Sequence, residues 1–235
     1  MPDGLEGGLR HDRILITGTD TNVGKTWVTC ALARALRESG HHVVAIKPVE
    51  SGRPGDPGDE EDGVLLARAT RQTAPRHALV RLAEPLAPML AQGGELDFDD
   101  LVLACERYAD GAQLTLYEGT GGLLSPITWE WNAVDLARSL GCRMLIVGTD
   151  RLGAINHTLL TLSAIEFAGL ETAGVVLTAP ETADRSTGSN ADAISRLAGI
   201  DRVVVAPRTL DPTAASHSLA PVVRWITPGT SPATH

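Results

Sequence analysis

Six short apolar runs alternate along the chain with segments whose apolar residues recur at helical spacing. The runs have the sequences RILITG, HHVVAIKP, QLTLYEG, RMLIVGTD, TAGVVLTA and DRVVVAP. Strands that alternate with helices form a parallel sheet that is covered by helices on both faces. Because 235 residues, of which 43% are hydrophobic, suit one large domain, we predict a single α/β domain on a doubly wound, mainly parallel sheet.

Both chain ends and one internal segment are predicted to lie outside the packed domain. Residues 1–12 are polar and glycine-rich and indicate a flexible extension, whereas residues 227–235 indicate a disordered tail. The packed domain is therefore expected over residues 13–226. Glu50–Gly63 is rich in Gly, Pro and acidic residues, which is typical of a mobile loop.

Charge and composition narrow the classes of partner. A net charge of -9 without a cluster of Lys or Arg argues against nucleic acid and anionic membranes, and favours a small-molecule ligand. The chain lacks an apolar run of roughly 18 residues and its start lacks the pattern of a signal peptide, so a cytoplasmic protein is expected. Cys30, Cys105 and Cys142 lie in apolar segments without C-x-x-C spacing, which favours buried thiols over a zinc site or a disulfide.

The first apolar run leads into the segment ITGTDTNVGKTWV, Ile16–Val28. Gly24–Thr26 matches the end of a phosphate-binding loop, but Thr19 stands where G-x-x-x-x-G-K-[ST] has its first glycine, and Gly18 lies one residue earlier. A glycine-rich turn before an ordinary helix is the other interpretation of so short a match. Because the segment follows a strand and opens a helix, we interpret it as a variant nucleotide-binding loop.

Such a loop binds phosphates through its backbone and through two side chains. Successive N–H groups and the N-terminus of the following helix form a site for anions. Lys25 would contact the outer phosphates, and the Thr26 hydroxyl would bind Mg²⁺. The predicted nucleotide-binding residues of this loop are Asp20, Asn22, Val23, Gly24, Lys25 and Thr26.

Two further polar segments follow strands at the same predicted edge of the sheet. KPVESG places Lys47 and Ser51 after the second run, and YEGTGG places Glu118 after a later one. Ligands of such sheets bind at the carboxyl ends of the strands. Alone, each residue is more typical of a surface charge or a turn, but together on the ligand face they indicate a functional site.

These segments resemble the dethiobiotin synthetases of biotin biosynthesis, which are P-loop NTPases. The resemblance covers about residues 14–207 and rests, in the family's order, on TGTDTNVGKT, KPVESG, EPLAP, YEGTGGLLSP and RLGAINHTLLT. It implies a ligase that uses ATP, or another nucleoside triphosphate, with Mg²⁺. The implied substrates are 7,8-diaminopelargonic acid and CO₂, and the products are dethiobiotin, ADP and phosphate.

The implied reaction needs no protein nucleophile. One substrate amine captures CO₂ as a carbamate, whose oxygen attacks the γ-phosphate to give a carbamic-phosphoric anhydride. The second amine then closes the ureido ring and expels phosphate. Since phosphoryl transfer depends mainly on positioning and charge stabilisation, Lys25 and Lys47 are expected to remain cationic and to carry most of the catalysis, with Thr21 completing the set.

The resemblance also implies ligands for Mg²⁺ and for the substrate. Thr26 and Glu118 would bind Mg²⁺ together with one aspartate of the acidic loop. We select Asp62 over Asp56 and Asp59, because Asp62 begins the helical run DGVLLARA as the family's aspartate does. A solvated acidic loop is the other interpretation. The implied substrate contacts are Thr21, Lys47, Ser51, Pro88 of EPLAP, Glu118, Gly121, Gly153, Ala154 and Asn156.

RLGAINHTLL follows a strand and opens a helix, so its free N–H groups suit a carboxylate. In the family this segment holds the substrate's carboxylate tail across a twofold interface, which implies a homodimer with shared active sites. Gly153, Ala154 and Asn156 of one subunit would serve the Lys47 site of the other. His157 is expected to be a hydrogen-bonded structural or interface residue rather than a catalytic base.

Two positions depart from the family's pattern. Asn22 stands where many relatives have a Glu that lines the site, which removes a negative charge near the reacting amine. Thr178 stands where relatives often have an Asn that reads the nucleobase, and a hydroxyl discriminates less. Relaxed nucleotide use is therefore expected, although Pro207 matches the family's base-flanking segment.

Three other classes share this kind of loop or site. Dimeric switch ATPases have a lysine four residues before the second loop glycine. This chain has Asp20 there, which argues against that class. Related amidases of cobalamin synthesis add a glutaminase domain, for which this chain is too short. Asn22 and Thr178 suggest a degenerate relative that binds nucleotide without ligase activity, but the lysines and acidic ligands that the chemistry needs are present.

Overall fold

The computed structural model describes residues 12–52, 60–91, 96–209 and 211–227. The predicted N-terminal extension and C-terminal tail therefore fall outside the described residues, except for Asp12 and Thr227. The candidate ligands Asp56 and Asp59 lie outside them as well. Asp12 belongs to the first strand rather than to an extension, because its N–H group donates to the Gln113 carbonyl oxygen at 3.1 Å.

The strands of the described residues confirm the predicted fold class. They are β1 (Asp12–Gly18), β2 (Val43–Ile46), β3 (Val49–Ser51), β4 (Val80–Leu82), β5 (Leu114–Gly122), β6 (Arg143–Thr149), β7 (Thr172–Thr178) and β8 (Val203–Ala206). The six predicted strands form one parallel sheet in the order β2-β5-β1-β6-β7-β8. β3 and β4 pair in a separate sheet, and the sequence does not predict them because such short strands show no periodicity.

Helices cover both faces of the large sheet. In the described parts of the chain they are α1 (Lys25–Glu38), α2 (Asp62–Thr70), α3 (Pro88–Ala91), α4 (Phe98–Ala109), α5 (Ala133–Ser139), α6 (Ala154–Phe167), α7 (Asn190–Ala198), α8 (Pro212–Ser218) and α9 (Ala220–Ile226). Side chains of α1, α2, α8 and α9 join one core layer. Those of α4, α5, α6 and α7 join the layer on the opposite face.

β1 shows why the predicted strands are apolar without alternation. Ile14 and Ile16 belong to the layer under α1, whereas Leu15 belongs to the opposite layer, and all three are fully buried. Successive side chains of a strand point to opposite faces, so a strand that is covered on both faces must be apolar at every position.

The predicted mobile loop Glu50–Gly63 is wrong at both of its ends. Glu50 and Ser51 belong to β3, and Asp62 and Gly63 open α2. The ends are fixed by hydrogen bonds between β3 and α2, which connect positions too far apart in sequence for a composition pattern to reveal.

The prediction of buried thiols is confirmed for Cys105 and Cys142, whereas Cys30 is only half-buried. All three thiols are free. Burial raises the pKa of the Cys105 thiol to about 12. No helix within the described ranges is long and apolar enough to cross a membrane.

Candidate active site

The loop between β1 and α1 has its first glycine at an unusual place for a structural reason. A Cβ atom added at Gly18 would lie 2.4 Å from the Asp20 carbonyl oxygen and 2.9 Å from that of Gly121. No larger residue fits there, because both contacts are with backbone atoms. Thr19 lies against Gly148, where a side chain is tolerated. Gly18 therefore permits the close approach of the loop to β5.

A cavity of about 380 Å³ opens beside this loop, at the carboxyl ends of β1, β2 and β5. Its lining consists of Thr21, Asn22, Gly24, Lys25, Thr26, Lys47, Glu50, Ser51, Asp62, Thr120 and Gly121. Except for Glu50 and Thr120, these are residues that the sequence analysis assigned to the site. The Ser51 hydroxyl is buried without a hydrogen-bond partner in the described part of the chain, so it is available to a ligand.

The order of the sheet brings Lys47 and Glu118 together. β2 and β5 are neighbours, and Ile46 pairs with Tyr117, so the residues that follow them lie side by side. Lys47 Nζ lies 2.7 Å from Glu118 Oε1 and 2.8 Å from Asp62 Oδ2. The side chains of Lys47 and Glu118 are 4% and 0% exposed, whereas that of Asp62 is 33% exposed. The three side chains therefore form an ion cluster that is buried on the side of Lys47 and Glu118.

Charge and burial act in opposite directions on the lysine of this cluster. Burial alone would lower the pKa of Lys47, but the carboxylates of Glu118 and Asp62 outweigh it and raise the pKa above the usual range. Lys47 is therefore positively charged at neutral pH. The pKa of Lys25 is lowered, first by burial and then by the charge of Lys47. Its Nζ atom donates to the Asp20 carbonyl oxygen at 3.3 Å.

The three predicted Mg²⁺ ligands meet at one point. Thr26 Oγ1 lies 2.8 Å from Asp62 Oδ1 and 2.9 Å from Glu118 Oε1. Glu118 Oε2 is buried and has no hydrogen-bond partner among the described residues. Oxygen ligands of this kind fit Mg²⁺. The described part of the chain contains no group of three or more His, Cys, Asp or Glu side chains that could hold a metal ion by themselves. Phosphate oxygens and water would therefore have to complete the coordination of Mg²⁺.

The nucleobase candidates lie on the other side of the loop. The Thr178 hydroxyl is 2.9 Å from the Val23 carbonyl oxygen and 3.2 Å from that of Gly148, and its methyl group packs against Gly24. Thr178 thus ties the phosphate-binding loop to the end of β7. Pro207 is exposed directly after β8, the strand that neighbours β7.

Several predicted residues do not line the cavity of their own chain. Gly153 is the N-cap of α6, Ala154 is buried, and Asn156 and His157 are exposed. Pro88 is buried at the start of α3. None of these five is part of the cavity lining in the described structure.

Glu50 and Thr120 are site residues that sequence reasoning missed. The Thr120 hydroxyl donates to the Val49 carbonyl oxygen, and the Glu50 carboxylate accepts hydrogen bonds from the N–H groups of Asp62 and Gly63. No signal in the sequence relates Glu50 to a helix that begins beyond an acidic loop. The proximity of Glu50 to Lys47 and Ser51 in KPVESG was the only available hint.

Comparison with known proteins decides the family. The family model described as an AAA domain matches residues 12–215. The curated ATP-dependent dethiobiotin synthetase of Anaeromyxobacter dehalogenans is 39% identical, over 89% of this chain and 96% of its own. The chain belongs to the ATP-dependent dethiobiotin synthetase family. The synthetase of Aquifex aeolicus is also 39% identical, over 85% of this chain and 90% of its own, and the predicted family and enzyme class are confirmed.

Solved structures of other P-loop ATPases share the fold of this synthetase family member. The septum site-determining protein MinD of Pyrococcus horikoshii, complexed with Mg-ADP, superposes with a TM-score of 0.55 at 16% identity, covering 92% of this chain and 88% of that one. A ParA family ATPase of Chlorobium tepidum gives 0.55 at 13% identity, covering 92% and 96%. At such identities the likeness shows the fold alone, and the predicted P-loop NTPase fold is confirmed.

Proposed function

We propose that this chain closes the ureido ring of dethiobiotin from 7,8-diaminopelargonic acid, CO₂ and ATP. The observation that carries the proposal is the buried Lys47 ammonium group beside the phosphate-binding loop, held between Glu118 and Asp62. The test incubates the purified protein with the diamine, bicarbonate, Mg²⁺ and ATP and detects dethiobiotin by mass. Reactions without ATP or without bicarbonate are the controls, and no product in the complete reaction would contradict the proposal.

Each step assigns a task to residues around the cavity. One amine of the substrate attacks CO₂ and loses a proton, which gives a carbamate, and Thr21 and Ser51 would orient it. The carbamate oxygen attacks the γ-phosphorus and ADP leaves. The second amine attacks the carbonyl carbon, loses a proton to the solvent and expels phosphate. Lys25 and Lys47 would stabilise the negative charge that moves from the carbamate onto ADP and phosphate, because fixed cations in a buried site interact strongly with such charge.

Thr26, Asp62 and Glu118 would hold Mg²⁺ beside the phosphates. When bound, Mg²⁺ neutralises phosphate charge and orients the γ-phosphate for attack. The buried Oε2 atom of Glu118, which has no hydrogen-bond partner among the described residues, supports this assignment. A cytoplasmic location is part of the same proposal, since the reaction consumes ATP.

A homodimer with shared sites completes the proposal. Leu152 and, on α6, Leu160 and Phe167 are 82%, 62% and 95% exposed, and a dimer interface would remove such apolar side chains from water. A groove of about 490 Å³ extends from Thr21 to Leu160 and Ala164 and would bind the aliphatic chain of the substrate. Because Gly153 lies outside the cavity of its own chain, a carboxylate at the start of α6 is better explained by the site of a second copy.

Nucleotide selectivity is expected to be weak. CTP, GTP and UTP should support turnover within about tenfold of ATP, because a single base contact contributes only about 1 kcal/mol beside the triphosphate. The Thr178 hydroxyl has a single hydrogen, which it donates to a backbone oxygen of Val23 or Gly148, so it has no donor left for a base. Initial rates with each of the four nucleotides measure the preference.

Thr178→Val is the matched variant for this prediction. It keeps the shape of the side chain and removes the hydrogen bond to the loop, so binding of all four nucleotides should weaken by the same factor, about fivefold for a net loss of about 1 kcal/mol. A wild-type preference for ATP above roughly a thousandfold would show that another group reads adenine. A change of preference in Thr178→Val would show that Thr178 itself takes part.

A further inference from the structure

Glu50 belongs to the strand β3, and its side chain caps the N-terminus of the helix α2. The helix α2 has Glu61 at its N-cap position, but that residue's side chain makes no capping hydrogen bond. Its carboxylate pairs instead with Arg81 and His77. The first N–H groups of α2 are taken by Glu50 of β3, whose Oε1 atom accepts from Asp62 at 2.7 Å and whose Oε2 atom accepts from Gly63 at 3.1 Å.

The same turn of α2 is fixed from its other side. A Cβ atom added at Gly63 would lie 2.2 Å from the Ala78 backbone nitrogen and 2.5 Å from the His77 carbonyl carbon. The chain at Gly63 therefore packs directly on the backbone that leads into β4. Between this contact and the two bonds to Glu50, the first turn of α2 has little freedom to shift.

We propose that Glu50 is a positioning residue for the metal-nucleotide site and acts through Asp62. Both of its carboxylate oxygens are committed to backbone N–H groups, one of them the N–H of Asp62 itself. That bond sets the place from which the Asp62 carboxylate reaches Thr26 at 2.8 Å and Lys47 at 2.8 Å. A negative charge at the start of α2 is also favoured by the helix dipole.

This inference rests on the proposed role of Asp62 as a Mg²⁺ ligand. Replacing a group that hydrogen-bonds to a metal ligand and orients it typically lowers metal affinity by about 10 to 100-fold. Glu50 also lines the cavity, so direct contact with the diamine is the competing role. The two roles predict different effects of a substitution at Glu50. Loss of a positioning role lowers the affinity for the nucleotide with Mg²⁺, whereas loss of a direct contact raises the KM for the diamine.

The test measures binding rather than turnover. Wild type and Glu50→Gln bind the non-hydrolysable β,γ-imido analogue of ATP in a calorimeter, once with Mg²⁺ and once with EDTA. The amide keeps the size of the side chain but presents an NH₂ group to one of the two N–H donors, so binding with Mg²⁺ should weaken about tenfold while binding in EDTA stays unchanged. Glu60→Gln is the matched control, because Glu60 pairs only with Arg68 at the surface among the described contacts. Thermal melting checks that each variant is folded.

A double-mutant cycle with Asp62→Asn gives the decisive comparison. If Glu50 acts through Asp62, Glu50→Gln should add less than about twofold to the loss in the Asp62→Asn background. Full additivity, or a raised KM for the diamine with unchanged Mg²⁺-dependent binding, would overturn the inference and leave the proposed function intact. If Asp62→Asn alone leaves Mg²⁺-dependent binding unchanged, the metal assignment of the proposed function fails, and the positioning role of Glu50 fails with it.

Discussion

Lys47→Ala should reduce dethiobiotin formation about a thousandfold or more, while ATP binding stays within about tenfold of wild type. Lys47 follows β2 at the far side of the cavity from the base candidates, and its ammonium group is 4% exposed between two carboxylates. We therefore expect its charge to stabilise the carbamate and the γ-phosphate rather than the remainder of the nucleotide. Mass detection of dethiobiotin and calorimetry with ATP give the two quantities. Near-normal turnover would contradict the assignment.

The stability of this variant needs its own control. Removing one partner of a buried ion cluster costs about 3 to 5 kcal/mol of folding free energy, because Glu118 is left buried without compensation. Lys47→Arg keeps a positive charge beside the carboxylates and should melt closer to wild type than Lys47→Ala. It should still lose activity, since the planar guanidinium group spreads its charge over a larger area than the compact ammonium group. Loss of activity in both variants separates catalysis from folding.

Lys25→Ala provides the matched comparison within the same cavity. Lys25 belongs to the phosphate-binding loop and begins α1, so its removal should weaken ATP binding itself as well as turnover. Lys47→Ala should spare ATP binding. Equal losses of ATP affinity in the two variants would mean that Lys47 binds the nucleotide and would remove its assignment to the carbamate.

The central sheet was predictable because its strands are buried on both faces. Runs such as RILITG contain consecutive apolar residues, Ile14 to Ile16, without the alternation of a half-exposed strand, and that pattern follows from cover on both sides. β3 and β4 have three residues each, and a segment so short carries no period that separates it from a loop. The assignment of Glu50 to a mobile loop was wrong because hydrogen bonds from α2 hold its side chain. Composition does not reveal these bonds, since α2 begins twelve residues further along the chain.

The candidate site was predictable residue by residue but not as an arrangement. Lys47 and Glu118 were placed at strand ends, where ligands of parallel sheets bind. Their contact at 2.7 Å depends on β2 and β5 being neighbours in register, with Ile46 opposite Tyr117. Periodicity identifies strands without giving their order. The ion cluster therefore became evident only from the topology of the sheet.

Thr178 illustrates a different limit of sequence reasoning. Its position at the end of β7 suggested a weaker reader of the nucleobase, and nothing in the sequence indicates another partner for its hydroxyl. The fold brings the Val23 carbonyl oxygen within 2.9 Å of it. A small polar side chain at a ligand site can thus be engaged by the loop itself, which explains why selectivity should be tested with Thr178→Val rather than inferred from residue type.

Two inactive variants, Lys47→Ala and Gly153→Glu, should restore activity to each other when their subunits mix. Gly153 is the N-cap of α6 with a φ of +94°. Among the described residues a Cβ atom there would meet only His157, at 3.8 Å, so a side chain fits sterically at a strain cost of about 1 kcal/mol. The added carboxylate should repel the carboxylate tail of the substrate. Gly153→Asn is the matched control, since asparagine tolerates this conformation and adds no charge.

The amount of restored activity follows from the geometry of a shared site. If Gly153 of one subunit serves the Lys47 cavity of the other, a mixed dimer has one site with both defects and one site with neither. With equal amounts and random exchange, about half of the dimers are mixed, so roughly a quarter of wild-type activity should return. Native mass spectrometry of the variants measures the fraction of mixed dimers. If mixed dimers form and activity stays at zero, Gly153 and Lys47 serve the same cavity within one chain, and the exposed apolar side chains of α6 require another explanation.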